Sequence, residues 1–450
     1  MRLLHVSDWH LGRSLGRVAR VADHDQVLEE IVELARREKP DLIVHSGDLF
    51  DQARPAVDDL RRAVEALREL SGYAPTVVLA GNHDSAALFE VLDEVVALAL
   101  PGGTPSEPGW RLRLLGRARP PRRGGILTLP IGGGEQVARL APVPFVHPNS
   151  LLRAFEVDPE RWTADYHDQV RDVEDALGRG LVADYRPDRD VLLFAAHLHV
   201  GGARFSTSER PLHVSDHYAT STEHLPAVSY AAFGHIHRPQ ELPGAILGRY
   251  AGSPIQLDFG EADEDKSVVL VDARPATAAH VEVVPLRRGR RLRRVSGTLA
   301  ELARLDGVDG CIVQAIVDTD EPTPDLAARL VQLWPQAAFH EVLERRAAGG
   351  DRASAAEDRP VGAERPTAEL FREYLVGAGV ADRQVDAAMG VFTRLLGVGE
   401  TDGDSGRPGG EVAGAGPVGV GPLFDELELF ELPERSPGPR QQPLFGSGAG

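Results

Sequence analysis

The sequence predicts an α/β fold built around parallel strands. Short apolar strands alternate with amphipathic helices through the first part of the chain, and five such strands are each followed at once by a cluster of Asp, Asn or His. Alternation of this kind indicates βαβ units and a sheet with parallel strands. At 450 residues the chain exceeds a typical single domain, so a large domain with smaller additions is expected.

Residues 3–6 read as the opening strand. Residues 23–39 read as a helix, with Val27, Leu28, Ile31, Leu34 and Ala35 on one face, and Asp23 followed by Gln26 looks like its start. Residues 42–45 are a second apolar strand. Residues 57–70 form a second helix, with Val57, Leu60, Val64, Leu67 and Leu70 at helical spacing, and 77–80 a third strand. Residues 101–109, rich in Pro and Gly, are a loop. Strands follow around 126–129 and at Val143, then at 191–196 and 231–233. Near Asp272 the character changes. A basic run occupies 287–294, and 311–317 and 324–334 read as the strand and helix of a small α/β unit. Residues 347–364 look like a linker. Residues 367–396 read as two helices broken near 377–380, with Leu370, Tyr374, Val385, Met389 and Phe392 among their apolar positions. From about Gly397 the chain is rich in Gly, Pro and acid, a composition expected to be disordered.

The five clusters are Asp8-Trp9-His10, Gly47-Asp48-Leu49-Phe50-Asp51, Gly81-Asn82-His83-Asp84, His197-Leu198-His199 and Gly234-His235-Ile236-His237. Ligands of open α/β sheets bind beyond the carboxyl ends of the strands, so all five can converge on one edge of one sheet. Asp, Asn and His without thiolates suit Mn²⁺, Fe²⁺ or Zn²⁺. Two such ions about 3.5–4 Å apart, bridged by a carboxylate, are the usual apparatus for phosphoester hydrolysis. One cluster alone is weak, since a lone His-x-His arises by chance. Five at strand ends are not readily explained that way. His5 and His45 lie inside strands and are expected to be packed. His24, His147, His167, His213, His217, His224, His280 and His340 lack a ligand partner at short spacing. His197 and His199 both remain candidates for a single ligand.

The order Asp-x-His, Gly-Asp-x-x-Asp, Gly-Asn-His-Asp, a separate His, then Gly-His-x-His resembles the calcineurin-like metallophosphoesterases. Ser7-Asp8-Trp9-His10-Leu11-Gly12, Ala80-Gly81-Asn82-His83-Asp84-Ser85, Gly234-His235-Ile236-His237-Arg238 and Gly252-Ser253-Pro254-Ile255-Gln256 are similar to the SbcD-type DNA exonuclease subunits of bacteria. The likeness covers residues 1–270, and 271–396 by layout only. It implies a four-layer metallophosphoesterase β-sandwich flanked by helices, a small α/β capping domain and a C-terminal helical pair. The implied divisions are 1–272 (nuclease), 273–346 (capping, DNA contact), 347–365 (linker), 366–397 (docking on an ATPase partner) and 398–450 (acidic Gly/Pro-rich tail). It implies two divalent ions, Mn²⁺ foremost. Asp8, His10, Asp48 and His237 would hold one, and Asp48, Asn82, His197 and His235 the other, with Asp48 as the bridge. Ala196-His197-Leu198 fits the family pattern better than His199 does. His83 would contact the scissile phosphate and assist proton transfer to the leaving oxygen, with Asp51 orienting it. The implied activity is exonuclease and endonuclease cleavage at DNA ends and hairpins, in repair, recombination and replication. The implied partner is an SbcC-like SMC-type ATPase, with a homodimer of the nuclease inside a heterotetramer.

Composition bears on the partners. The formal charge is −19, where a non-specific nucleic-acid binder is usually basic. Eight acids against three arginines in residues 401–450 account for part of it, and bound cations reverse the field of an acidic cleft. Arg13, Arg17 and Arg20 could line a substrate groove. Arg290 and Arg291, within 287–294, are candidate DNA-backbone contacts, or else belong to a solvated basic strand edge. The helices of 366–397 either dock on the coiled-coil base of the ATPase or fold back on their own chain. Residues 426–430 and 441–445 loosely resemble the Gln-x-x-Leu-Phe peptides that bind the bacterial sliding clamp. No P-loop is present, so any ATP dependence comes from a partner. Cys311 is the only cysteine, there is no apolar run of about 18 residues, and the N-terminus lacks a signal-peptide pattern, which together suggest the cytoplasm, beside the nucleoid. Two rival readings remain. One is a two-metal enzyme acting on a small phosphodiester or a phosphoprotein. The other is a scaffold that has lost the chemistry, against which all the expected ligand positions are filled.

Overall fold

The computed structural model describes residues 1–99, 110–146, 166–206, 208–209 and 219–346, with Arg372, Val385 and Met389. Residues 1–352 form one compact unit and 353–450 another. Within the second unit the three described residues are all helical. The expected linker, most of the helical pair, the tail with its clamp-like peptides, the 101–109 loop, and His147, His213 and His217 lie outside the described residues.

In chain order the elements are β1 (Arg2–Val6), β2 (Ser14–Leu15), β3 (Val18–Ala19), α1 (Val21–Glu38), β4 (Leu42–His45), α2 (Val57–Tyr73), β5 (Thr76–Leu79), α3 (Ala86–Ala99) and β6 (Leu112–Leu115). Then come β7 (Leu127–Ile131), β8 (Gln136–Val143), α4 (Tyr166–Val182), β9 (Asp190–His197), β10 (His199–Val200), β11 (Ala219–Thr220), β12 (Tyr230–Gly234), β13 (Gln240–Glu241) and β14 (Gly248–Tyr250). The last are β15 (Ser267–Asp272), β16 (His280–Pro285), β17 (Leu292–Thr298), α5 (Leu299–Leu302), β18 (Ile312–Thr319), α6 (Leu326–Leu333) and β19 (Ala338–Arg346).

These elements stack in four layers. One sheet runs β16-β15-β1-β4-β5-β6 and the other β13-β14-β12-β9-β8-β7. The two sheets face each other across Leu3, Leu42, Val44, Val77, Leu140, Val191, Leu193 and Tyr230. On the outer face of the first sheet, Leu4, Val6, Ile43 and Val78 pack on α1, α2 and α3 through Ile31, Leu67 and Phe89. On the outer face of the second, Phe194 and Phe233 pack on Val170, Val173 and Leu177 of α4. Consecutive residues of one strand thus enter different cores, which is why these strands read as unbroken apolar runs. The five clusters therefore do not share one sheet edge, as the strand pattern suggested. Three follow β1, β4 and β5 of one sheet, and two follow β9 and β12 of the other.

Two boundaries also differ from expectation. β16 pairs antiparallel with β15, so residues 280–285 form the edge of the first sheet, beyond the division at 272. Helix α1 begins at Val21, and Asp23 is not its cap. The Asp23 carboxylate accepts from Arg20 Nε at 2.6 Å and from the Arg290 main-chain N–H at 2.8 Å, which leaves it unavailable to the helix. After β16, the parallel sheet β17-β18-β19 packs on α5 and α6 through Val295, Leu302, Val313, Leu330 and Trp334. Leu292 and Ile312 join it to Leu15 and Phe259 of the larger body.

Candidate metal centre

The loops after β1 and β4 are joined by main-chain bonds: Asp8 N–H to Gly47 O at 2.9 Å, His10 N–H to Asp48 O at 3.1 Å and Leu11 N–H to Leu49 O at 3.0 Å. Asp8, His10, Asp48 and His235 all take the left-handed backbone region, with φ of 51°, 47°, 53° and 99°. Such conformations are held by surrounding structure and gather at functional sites. Gly81 is required by close approach, because a Cβ there would stand 2.1 Å from Asp48 Oδ1.

Asp8, His10, Asp48 and His237, all buried, each offer one ligand atom within 4.8 Å of the others. His10 Nε2 and His237 Nε2 lie 3.0 Å apart. The second predicted set also converges. Asn82 Oδ1 is 3.0 Å from His197 Nε2 and 2.8 Å from His235 Nδ1. Asp48 joins the two sets. Its Oδ2 is buried without a hydrogen-bond partner and lies 3.4 Å from both His10 Nε2 and His197 Nε2. A buried polar atom left unpaired among converging N and O donors is the mark of a cation site. The donor set fits two divalent cations sharing Asp48. His197, not His199, belongs to it: the His199 ring packs edge-on against Phe205.

The field matches the geometry. Burial raises the Asp8 carboxyl, although His197 and His237 pull the other way. Burial acts against Asp48 as well, yet His197 and His83 hold its carboxyl well below the usual range. Burial opposes the charge on His197, but the Asp48 carboxylate pushes it up to about 9. These are buried acids and bases in mutual contact, as in a site where a metal would displace protons.

His83 lies against His10, ring centroids 4.7 Å apart, and its main-chain N–H donates to Asp48 Oδ1 at 2.8 Å. Its Nδ1 donates to the main-chain carbonyl of Asp51 at 2.8 Å. Asp51 therefore meets His83 through that carbonyl, and its carboxylate also lies within 4.8 Å of a His83 ring nitrogen. The carboxylate takes Arg13 at 3.3 Å and stands 3.4 Å from His10 Nδ1. Burial would raise it, but His10 and Arg13 beside it hold it down at about 2.

The arginines separate. Arg17 is exposed. Arg20, expected in a groove, is fully buried, bonded to Asp23 and to the Gln256 carbonyl. Arg290 grips Asp23 through Nε at 2.9 Å and Nη2 at 2.8 Å, so its guanidinium ties the segment before β17 to α1 while its side chain stays 30% exposed. Arg288 is likewise taken by Glu29 and Glu33, whereas Arg291 is exposed beside Asp265.

Further residues hold the site in place without having been assigned a role from the sequence. Asp84 accepts from the main-chain N–H groups of Leu49, Phe50 and Gly81, pinning the second and third loops together. Burial, with the charge of Asp48, pushes it up to about 7. Ser208, Glu209, Glu261 and Lys266 surround His237. Asp84 stands inside one of the five clusters; the other four sit apart from any.

Residues 1–239 match the family model described as calcineurin-like phosphoesterase. The chain is 33% identical over 300 residues to the SbcD subunit of nuclease SbcCD from Bacillus subtilis (strain 168), covering 65% of this chain and 71% of that protein. It is 29% identical over 416 residues to the corresponding subunit from Escherichia coli (strain K12), covering 88% and 98%. Against the one from Rhodobacter capsulatus it is 28% identical over 360 residues, covering 73% and 83%.

Proposed function

Because the chain belongs to the calcineurin-like phosphoesterases, in their SbcD-type branch, we propose that it is the nuclease subunit of an SbcCD-type complex, cleaving DNA at ends and hairpins in repair and recombination. The observation that carries the reading is Asp48 Oδ2, buried and unpaired between one histidine of each set. Asp8, His10, Asp48 and His237 would hold one ion and Asp48, Asn82, His197 and His235 the other, with Mn²⁺ the ion proposed. When bound, the ions polarise the phosphoryl oxygens and make the attacking water more acidic. The chain's own part is to orient and to move a proton. His83, fixed through Nδ1 by the Asp51 carbonyl, would turn Nε2 to the scissile phosphate and protonate the leaving oxygen. Arg13, Arg17, Arg290 and Arg291 are the proposed backbone contacts.

The proposed partners are DNA and an SbcC-like SMC-type ATPase, docked by residues 366–397, with clamp binding by the tail as a further proposal. A homodimer is supported by an apolar cavity of 440 Å³ between α2 and α3, lined by Leu60, Val64, Leu67, Leu92 and Val95. Among the described residues no helix is long and apolar enough to cross a membrane; the nucleoid-associated cytoplasm is the proposed location.

The −19 charge favours one alternative, a small phosphodiester or phosphoprotein substrate for the same site. Parallel assays of linear duplex DNA and bis-p-nitrophenyl phosphate with Mn²⁺ separate the two. Turnover of both is expected. Turnover of the small ester alone, with and without the ATPase, contradicts the nuclease reading.

A further inference from the structure

His237 is anchored on every side, and its anchors come from two segments distant in sequence. Its Nδ1 meets Ser208 Oγ, and Ser208 Oγ in turn donates to Glu261 Oε1. Glu261 Oε1 is itself 3.6 Å from His237 Nδ1. Glu261 is wholly buried. Its other oxygen accepts from Lys266 Nζ at 2.7 Å and from the Leu257 N–H at 3.0 Å. Lys266 also donates to the His237 carbonyl at 3.0 Å, and Glu209 Oε1 accepts the His237 N–H at 3.0 Å. A buried, ionised carboxylate persists only when paired and hydrogen-bonded, and here both of its oxygens are engaged.

We infer that Ser208 and Glu261 are positioning residues for the metal centre, acting through His237. With Nδ1–H donating to Ser208 Oγ, and Ser208 O–H donating to Glu261, the ring is held in the tautomer that leaves the Nε2 lone pair free. Nε2 is the atom that faces His10 Nε2, on the side of Asp8 and Asp48. A histidine ligand whose second nitrogen donates into a carboxylate is fixed in orientation and made a better donor. Lys266 completes the device by balancing the carboxylate, so that Glu261 accepts the Ser208 hydroxyl without drawing a proton itself. The inference rests on the reading of His237 as a ligand.

The test is calorimetric titration of the chelator-stripped full chain with Mn²⁺ alone, comparing wild type, Ser208→Ala, Ser208→Thr and Glu261→Gln. Wild type takes up two ions. In Ser208→Ala and Glu261→Gln one of the two should bind roughly 10–100-fold more weakly, with the other unchanged, and Ser208→Thr should restore it. Ser208→Ala keeps the Glu261–Lys266 pair, so it decides the matter even where Glu261→Gln folds poorly. Two-ion uptake at wild-type affinity by Ser208→Ala overturns this inference alone. Absence of Mn²⁺ uptake by wild type overturns the metal-centre reading and this inference with it.

Discussion

At the scale of single residues, the centre depends on Asp48 and the histidines around it. His197, fully buried, is pushed up to about 9 by that carboxylate, above the 6.5 of an unfolded histidine. The pair therefore stabilises the metal-free fold in full below pH 6.5, and the contribution fades as pH rises toward 9. A shift of this size corresponds to on the order of 3 kcal/mol. A cation competes for the same lone pair, so Mn²⁺ affinity should rise over the same interval. Melting of the chelator-stripped protein between pH 6.5 and 9, with titration calorimetry at each pH, checks both. A metal-free melting temperature that climbs through that window contradicts the pairing. The convergence of the donor set was legible in the sequence because Asp, Asn and His recur directly after the strands that build it. Ser208, Glu261 and Lys266 were not, because an outer partner needs only the right distance in space and leaves no spacing in the chain.

At the scale of elements, the junction of α1 with β17 is an ion cluster around Asp23. Arg20, without solvent exposure, and Arg290 both close on its carboxylate. The two guanidiniums and the burial act on Asp23 in opposite senses, and the net is a carboxyl below its usual range. Asp23→Ala leaves Arg20 buried without its partner, so it should lower stability by about 3–5 kcal/mol, read from denaturant unfolding. A loss under about 1 kcal/mol, the scale of an exposed pair, would show the cluster to be dispensable. The basic run 287–294 was visible in the sequence, but its acidic partners on α1 were not, since nothing local marks Glu29, Glu30 and Glu33 as its neighbours. The strands themselves were legible as apolar runs. Their division into two sheets was not, because a strand buried on both faces looks the same in either. Helix α4 does carry the helical spacing of Val170, Val173, Leu177 and Leu181, a signal present in the chain that the strand-and-cluster pattern around it overshadows.

At the scale of the whole molecule, two sheets pressed face to face bring their carboxyl edges together, which lets residues 227 positions apart in sequence build one centre, as Asp8 and His235 do. The outside of this body bears the α2–α3 cavity, where Val64 and Val95 are 48% and 54% exposed. Apolar grooves of this kind on a globular chain mark contact surfaces. A homodimer seated there should be broken by Val64→Glu with Val95→Glu, moving the sedimentation coefficient to that of a monomer while Mn²⁺ uptake stays intact. A wild type that is monomeric at all concentrations contradicts it.

The most direct test of the central claim is Mn²⁺-dependent degradation of linear duplex DNA by wild type, Asp48→Ala and His83→Ala, with bound metal measured in each. Cleavage is expected from wild type only, with loss of bound metal in Asp48→Ala and full metal content without cleavage in His83→Ala. Cleavage by Asp48→Ala at the wild-type rate, or a full complement of metal in that variant, would contradict it.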